Sequence, residues 1–311
     1  MKLLVTGASG FVGSLFVKYA LNQGFKVRVV SRDRRSVSNG LQVDVHEADL
    51  TKVSDWSGLL DGIDCVVHAA GEVSSPRLMH RVNFEASVDL FQAANRHGVR
   101  RWIQLSSVGA YGTNRRGIVT EDVPDAPEGV YEVSKSEFDQ YLLNIPSGLS
   151  MDAFILRPSI IYGPEMRSDI LRKLIFHIRQ GTFTYIGPPG FYANFVHIDD
   201  VVRALSLCVT TPLSGKRTYI VSDHSTLEEL VASLATGVGV MLPRRRVPLR
   251  LARSLASAMK WLPAWPLTEE RIRALTSINI YGTEKIETEL HWKVEVPISV
   301  GMREFGRSQA L

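Results

Sequence analysis

Met1-Lys2-Leu3-Leu4-Val5-Thr6-Gly7-Ala8-Ser9-Gly10-Phe11-Val12-Gly13 opens the chain, and the reading of this stretch decides the fold. A short apolar run, fit for a buried strand, meets glycines at positions 7, 10 and 13. Glycines there let the backbone turn sharply, let a pyrophosphate approach the main chain, and let the next helix pack closely on the strand. A helix beginning near Gly13 and Ser14 offers unpaired N–H groups and the positive end of its dipole to phosphates. A flexible surface loop also carries glycines, so the context decides. An amphipathic stretch follows at 15–21 and a second strand at 27–30, and strand, loop and helix in that order predict a dinucleotide-binding unit.

The bulk properties agree with such a unit. At 311 residues the chain has room for a principal domain and a smaller lobe. Hydrophobic residues at 45% and charged residues at 22% are ordinary for a soluble globular protein. The net charge of +4 lies partly in short arginine runs, which favours small anionic ligands over nucleic acid. Cys65 and Cys208 lie far apart in sequence, predicting free buried thiols in a reducing compartment. No run approaches the ~18 apolar residues of a membrane span, and the glycines break up 1–21 as a signal segment. The expectation is a cytoplasmic protein without a membrane partner.

The strand at 27–30 ends in Ser31-Arg32-Asp33-Arg34-Arg35. An acidic residue at that strand end holds ribose hydroxyls, whereas an arginine accommodates a 2′-phosphate. Ser31 followed by Arg32 favours NADP(H) over NAD(H), with Asp33 near enough to act as a displaced ribose ligand and Arg34 and Arg35 in a solvated loop. A third strand at 43–48 leads into Asp49-Leu50, and a fourth, Cys65 to His68, leads into Ala69-Ala70-Gly71. Alternating strands and helices predict an α/β fold: a doubly wound parallel sheet with ligands at its C-terminal edge. A helix at 83–95 and a strand at 102–105 deliver Ser106 and Ser107. After a loop at 112–129, helical spacing puts Tyr131 and Lys135 on one face. A strand at 153–156 runs into Arg157-Pro158-Ser159-Ile160-Ile161-Tyr162-Gly163-Pro164. Beyond it the order is mixed, with helices near 169–179, 200–207 and 226–234, a short strand at 219–221, and a proline-rich irregular cap at 243–266 with a helix-like 249–261. The expected division is a nucleotide-binding domain over 1–160, returning near 191–221, and a mixed substrate lobe mainly over 161–311.

Taken together, Thr6 to Gly13, Asp49-Leu50, His68-Ala69-Ala70, Asn83, Ser107, Tyr131 with Lys135, Arg157-Pro158 with Tyr162-Gly163-Pro164, and Phe195-Val196-His197-Ile198-Asp199-Asp200 form an ordered series. The chain thereby resembles the extended short-chain dehydrogenase/reductase family of the NAD-dependent epimerase/dehydratase type, which has a Rossmann fold. The resemblance implies that Tyr131 exchanges a proton with a substrate hydroxyl or carbonyl. Lys135 then lowers the tyrosine pKa and holds the nicotinamide ribose, while Ser107 hydrogen-bonds the reacting oxygen. A tyrosine with a pKa near 10 is a poor base; lowering it by ~3 units needs about 4 kcal/mol, within reach of a nearby ammonium and an oxidised nicotinamide. By the same resemblance Gly7, Gly10, Phe11, Val12 and Gly13 cradle the pyrophosphate, Asp49 and Leu50 meet the adenine, Ala69 and Ala70 line pyrophosphate and ribose, and Pro158 lies by the nicotinamide. Asp49 also reads as a cap, with Thr51 beside it. His68 reads as a packed strand-end residue and His197 as a structural one, and no histidines show metal spacing.

The stretch 162–205, with Tyr185-Ile186-Gly187-Pro188-Pro189-Gly190 and Asn194-Phe195-Val196-His197, resembles bacterial sugar-nucleotide epimerases and reductases of surface-polysaccharide pathways. It implies a nucleoside-diphosphate sugar as substrate, with Asn194 and Arg271 among its contacts; Arg271 and Arg273 read equally as an exposed basic face. Ile160 and Ala193 depart from this pattern, standing where many such enzymes carry Asn and Arg. They open a second reading, an NADPH-dependent reductase or dehydrogenase of an apolar ketone or hydroxyl, resembling dihydroflavonol reductases or 3β-hydroxysteroid dehydrogenases. A third reading is a catalytically silent NADP-binding regulator; such proteins often lose the Tyr or Lys that this chain keeps. Family resemblance also implies a homodimer through the helices at 83–95 and 131–143, with Phe138, Tyr141 and Leu142 either on that surface or buried under the chain's own loops.

Overall fold

The protein is described by a computed structural model covering residues 1–37, 42–113, 115–145, 151–166, 169–258 and 268–309. Its first half alternates strands and helices: β1 (Lys2–Thr6), α1 (Phe11–Asn22), β2 (Lys26–Ser31), β3 (Asp44–Glu47), α2 (Ser57–Leu60), β4 (Cys65–His68), α3 (Pro76–His80), α4 (Ala86–Arg96), β5 (Arg101–Leu105), β6 (Arg116–Val119), α5 (Val130–Asn144), β7 (Asp152–Pro158) and β8 (Ile160–Tyr162). The second half continues with α6 (Ile170–Arg179), β9 (Tyr185–Ile186), β10 (Tyr192–His197), α7 (Ile198–Thr210), β11 (Lys216–Val221), β12 (Asp223–Thr226), α8 (Leu227–Val238), β13 (Arg246–Val247), α9 (Leu249–Ala258), α10 (Glu269–Leu275), β14 (Ile278–Tyr281), α11 (Glu284–Leu290) and α12 (Ile298–Ser308).

Seven strands form the main sheet in the order β11-β7-β5-β4-β1-β2-β3, every pairing parallel. Strand order reverses between β1 and β4, which opens a crevice at their C-terminal ends, the ligand position of doubly wound sheets. The central strands are hydrophobic on both faces because helices cover both. One face packs Phe16 and Val17 of α1 against Val201 and Leu205 of α7. The other packs Leu90 and Phe91 of α4 against Phe138 and Leu142 of α5. Each such side chain stabilises the fold by roughly 1.5–3 kcal/mol. Phe138 and Leu142 thus lie in the chain's own core, at 0% exposure, and cannot supply a dimer surface.

The predicted helix at 83–95 is longer than its apolar pattern suggested, because α3, a π-helical turn at Arg81–Glu85 and α4 follow one another directly. Within the predicted helix at 249–261, only Leu249–Ala258 lies among the described residues.

Three small sheets build the second lobe: β12-β10-β8, β13-β9 and β14-β6. Its core gathers Tyr162, Leu171, Ile175, Phe195, Leu230, Leu234, Met302 and Phe305. Two aspartates fasten the C-terminal segment to it. Asp200 accepts Glu295 N–H at 3.1 Å and Val296 N–H at 3.2 Å, and its carbonyl accepts Trp292 Nε1–H at 3.0 Å. Asp223 accepts Ile298 N–H at 2.9 Å.

Candidate active site

At the end of β1 the chain makes room by omission. Gly7 has φ +68°, and a Cβ on it would come within 2.6 Å of the Ala69 carbonyl and the Ala70 nitrogen. A Cβ on Gly13 would lie 2.2 Å from the Gly7 carbonyl oxygen. The loop closes with Gly10 N–H on the Gly7 carbonyl at 2.8 Å, and α1 starts with Ser14 N–H on Gly10. The N–H groups of Phe11, Val12 and Gly13 find no acceptor among the described residues, as expected of a helix start without a capping side chain. This is a cradle lined by N–H donors and free of side chains, and its chemistry fits a pyrophosphate.

Thr6 sets the adjoining wall. Its hydroxyl accepts the Ala70 N–H at 3.1 Å and meets His68 Nδ1 at 2.8 Å. His68 Nε2 meets the Ser87 hydroxyl at 2.9 Å, and burial pushes the imidazole down to about 3, with Lys135 adding to the effect. It is therefore a neutral structural bridge between β1, β4 and α4.

Past β2, Asp33 Oδ1 accepts Arg35 N–H at 2.9 Å and so caps a 3-10 turn. Arg32 is exposed and makes no hydrogen bond or ion pair among the described residues. Asp49 Oδ1 accepts both the Thr51 N–H, at 3.0 Å, and its hydroxyl, at 2.8 Å; these bonds, the hydroxyl first, hold its carboxyl below the usual range, with Arg32 a smaller contributor. The cap alternative is therefore present in the geometry, and Leu50 beside it is half-buried.

The other side of the crevice is built on buried charge. Ser107 begins a 3-10 turn by accepting Gly109 N–H at 3.0 Å. The missing Cβ of Gly109 leaves space that the Glu132 side chain fills, its Cγ 2.6 Å from that point and Ser107 Oγ 3.3 Å from it. Ser107 thus stands against the first turn of α5, which bears Tyr131. Asn83 joins the same place from a third element: its amide donates to Ser134 Oγ and accepts the Glu72 N–H.

Desolvation, followed by the charges of Glu132 and Asp139, pushes the Tyr131 phenol up to about 12. Burial likewise lowers the Lys135 ammonium to about 8, opposed by Asp139. Lys135 is 3% exposed, and its side chain makes no hydrogen bond or ion pair among the described residues. Without a cofactor cation, then, the lysine alone does not bring the tyrosine into a basic range.

Sequence reasoning missed the charge network beneath. Asp139, fully buried, accepts from Ser106 Oγ at 2.6 Å and Arg157 Nε at 3.0 Å. Arg157 also forks onto Asp125 at 2.6 and 2.9 Å and stacks 4.7 Å over the Tyr111 ring. Ser106 is therefore committed elsewhere, leaving Ser107 facing the crevice side. The i, i+4, i+8 spacing of Tyr131, Lys135 and Asp139 was the one available sequence clue.

The remaining expected contacts scatter. Pro158 ends β7 opposite Val221. Ile160 on β8 is 44% exposed, while Ala193 on β10 is buried in the lobe core. Asn194 donates to the Asn279 carbonyl at 3.0 Å, and its own carbonyl oxygen is buried without a partner among the described residues. Arg271 is exposed on α10, and Arg273 reaches Glu128 at 3.9 Å. His197 caps α7 by accepting the Asp199 N–H at 3.3 Å. Cys65 and Cys208 are free and buried. Among the described residues no cluster could hold a metal, and no helix is long and apolar enough to cross a membrane.

The model of the NAD dependent epimerase/dehydratase family matches residues 3–222. Sterol demethylase protein B of Methylococcus capsulatus is 32% identical over 268 residues, 82% of this chain and 80% of that protein. A UDP-glucose 4-epimerase of Vibrio cholerae is 28% identical over 75% of this chain and 74% of its own length. Among solved structures, the UDP-glucuronic acid 4-epimerase of Bacillus cereus in complex with NAD has the same fold, with a TM-score of 0.78, 20% identity and 99% of each chain covered.

Proposed function

We propose, from the premise that the chain belongs to the NAD dependent epimerase/dehydratase family, that it exchanges a hydride with a sugar carbon of a nucleoside-diphosphate sugar. The family makes it a nicotinamide-dependent enzyme of the epimerase, dehydratase or reductase kind, acting on a small molecule. The observation that carries the reading is the shared crevice: a side-chain-free N–H cradle on one side, and Ser107 against the turn bearing Tyr131 on the other. The bound nicotinamide supplies or accepts the hydride. Tyr131 Oη takes the proton of a substrate hydroxyl, or returns it to a carbonyl oxygen. Ser107 Oγ donates to that same oxygen and fixes its position. Lys135 Nζ would hold the ribose hydroxyls of the bound cofactor, and its charge would favour the phenolate beside an oxidised, cationic ring. The charge of Asp139, which accepts from Ser106 and Arg157, opposes that effect.

NADP(H) is the favoured cofactor, because Asp33 is engaged in a cap while Arg32 is exposed and unbonded among the described residues. Ile160 and Ala193 favour a second reading, reduction of an apolar ketone, and the similarity to a sterol demethylase protein supports it. A homodimer through α4 and α5 remains in the proposal, supported by an open groove of about 650 Å³ lined by Phe84, Val133, Tyr141 and Ile145. Its test is the mass in light scattering of wild type against Tyr141→Glu; a monomeric wild type refutes it.

The deciding experiment measures NAD(P)H formation or loss with UDP-sugars and with steroid or other apolar ketones. Turnover of a sugar nucleotide that Tyr131→Phe abolishes supports the first reading, and turnover of apolar ketones alone supports the second. Absence of hydride exchange with either class, while the cofactor binds, returns the silent regulator.

A further inference from the structure

One stretch of the second lobe concentrates positive charge. Residues 239–258 contain five arginines, at 244, 245, 246, 250 and 253, and no acidic residue. Of the chain's 36 basic residues these five leave 31 against 32 acidic ones, so the entire positive excess sits in this short stretch. Arg246 is occupied, bridging Glu228 at 2.6 Å and the Gly187 carbonyl at 2.7 Å and lying over the Tyr185 ring. The side chains of Arg244, Arg245, Arg250 and Arg253 are exposed and make no hydrogen bond or ion pair among the described residues.

The apolar side chains of the same stretch point the wrong way for a helix that only packs. In α9 the small residues Ala252 and Ala256 face inward against Ile186 and Ile272. Leu251 and Leu255, one turn apart, are 50% and 41% exposed. Just upstream, Met241 is 92% and Leu242 53% exposed. An amphipathic helix serving the core alone would bury its leucines and expose its alanines.

Two demands therefore coincide in one stretch of twenty residues: large apolar side chains in water, and guanidinium groups without carboxylates. A free phosphate or a nucleic acid satisfies only the arginines. An anionic lipid surface satisfies both, taking the leucines and methionine at the acyl boundary and the arginines at the headgroup phosphates. We propose that residues 239–258 form an in-plane attachment patch by which the second lobe docks on anionic phospholipid. The absence of a spanning helix among the described residues does not bear on attachment of this kind. β13 pairs with β9, and the Gly187 turn packs on Phe191 and Leu249, so the patch belongs to the same part of the lobe as β10 with Ala193 and Asn194. The inference stands whichever substrate reading holds.

The test uses the full chain, sedimented with vesicles of phosphatidylglycerol and phosphatidylcholine and with vesicles of phosphatidylcholine alone. Binding to the anionic vesicles, at least about tenfold weaker on neutral ones and lost at roughly 0.5 M salt, is expected. Arg250→Glu with Arg253→Glu, and separately Leu251→Ser with Leu255→Ser, should each weaken it at least about tenfold while melting temperature and NADPH affinity stay unchanged. Failure to bind anionic vesicles overturns the proposal. So does full retention by the leucine pair, or tighter binding to duplex DNA than to the vesicles, since either outcome reduces the patch to a simple cation.

Discussion

The two sides of the crevice solve the same problem, holding polar atoms toward a ligand, by opposite means. Around β1 and β4 the device is subtraction: Gly7 and Gly13 bring backbone within a distance no Cβ tolerates, and the amides of residues 11–13 are left over. Around β5, α5 and β7 the device is addition: Asp139, Arg157 and Lys135 are driven into the interior, Arg157 being matched against Asp139 and the half-buried Asp125 while Lys135 stays unpaired among the described residues. The first arrangement costs little stability and titrates with nothing. The second is expensive to bury and responds to pH, which suits chemistry rather than grip.

The largest expected effect lies on the second side. Tyr131→Phe should lower turnover by about 10²–10⁴ with NADPH affinity unchanged by fluorescence titration, since it deletes a proton and little volume. Equal turnover would break the comparison at its centre. Next is Lys135→Met, which should lose activity yet raise the melting temperature of the cofactor-free protein at pH 7. Burial holds this lysine near 8, so its charged form costs the fold at most about 3 kcal/mol, and Asp139 keeps Ser106 and Arg157 after the change. The sign follows from linkage. Between pH 8 and the ordinary lysine value the unfolded chain binds the proton and the folded chain does not, so wild type gains stability as pH rises and the mutant's advantage shrinks. An advantage constant from pH 7 to 10 would refute the buried-charge account.

On the first side the effects are smaller and independent of pH. Gly13→Ala forces a methyl to 2.2 Å from the Gly7 oxygen and should cost about 1–3 kcal/mol of stability together with cofactor affinity, both readable by calorimetry. Smallest is Arg32→Ala, expected to reduce the preference for NADPH over NADH about tenfold, the worth of one charge-assisted bond at an exposed site. An unchanged ratio of dissociation constants would remove Arg32 from the cofactor site.

The same contrast explains what could be read in advance. Subtraction leaves its mark in residue type, since only glycine fits, so the loop and the doubly wound sheet were plain from positions 7, 10 and 13 and the strands that follow. The charge network is spread over the loop at Asp125, α5, β5's end and β7, and only folding brings its members together. Lys135 and Asp139 sit four residues apart, but Arg157 reaches Asp139 from β7, eighteen residues on. The lobe's small sheets were illegible for a related reason. β14 and β6 have four residues each and pair Ile278 with Arg116, too short for a period and too far apart for a hairpin. Phe138 and Tyr141, three residues apart on one helix, illustrate the remaining ambiguity: periodicity marks both as apolar, but only packing shows that the first is core and the second lines an open groove.

The two aspartates that fasten the C-terminal segment set an order of assembly. A ribosome releases every strand of the main sheet by Val221, yet Asp200 and Asp223 wait for Glu295, Val296 and Ile298, partners 75 to 96 residues downstream. Until those arrive, Asp200 keeps Arg203 and Asp223 keeps the His224 N–H but both lack their backbone donors from the C-terminal segment, and α12 is missing from the lobe core. A nascent chain at that stage has every strand of the main sheet while the second lobe still lacks its lock, and the arrival of residues 292–298 is the step that fastens it.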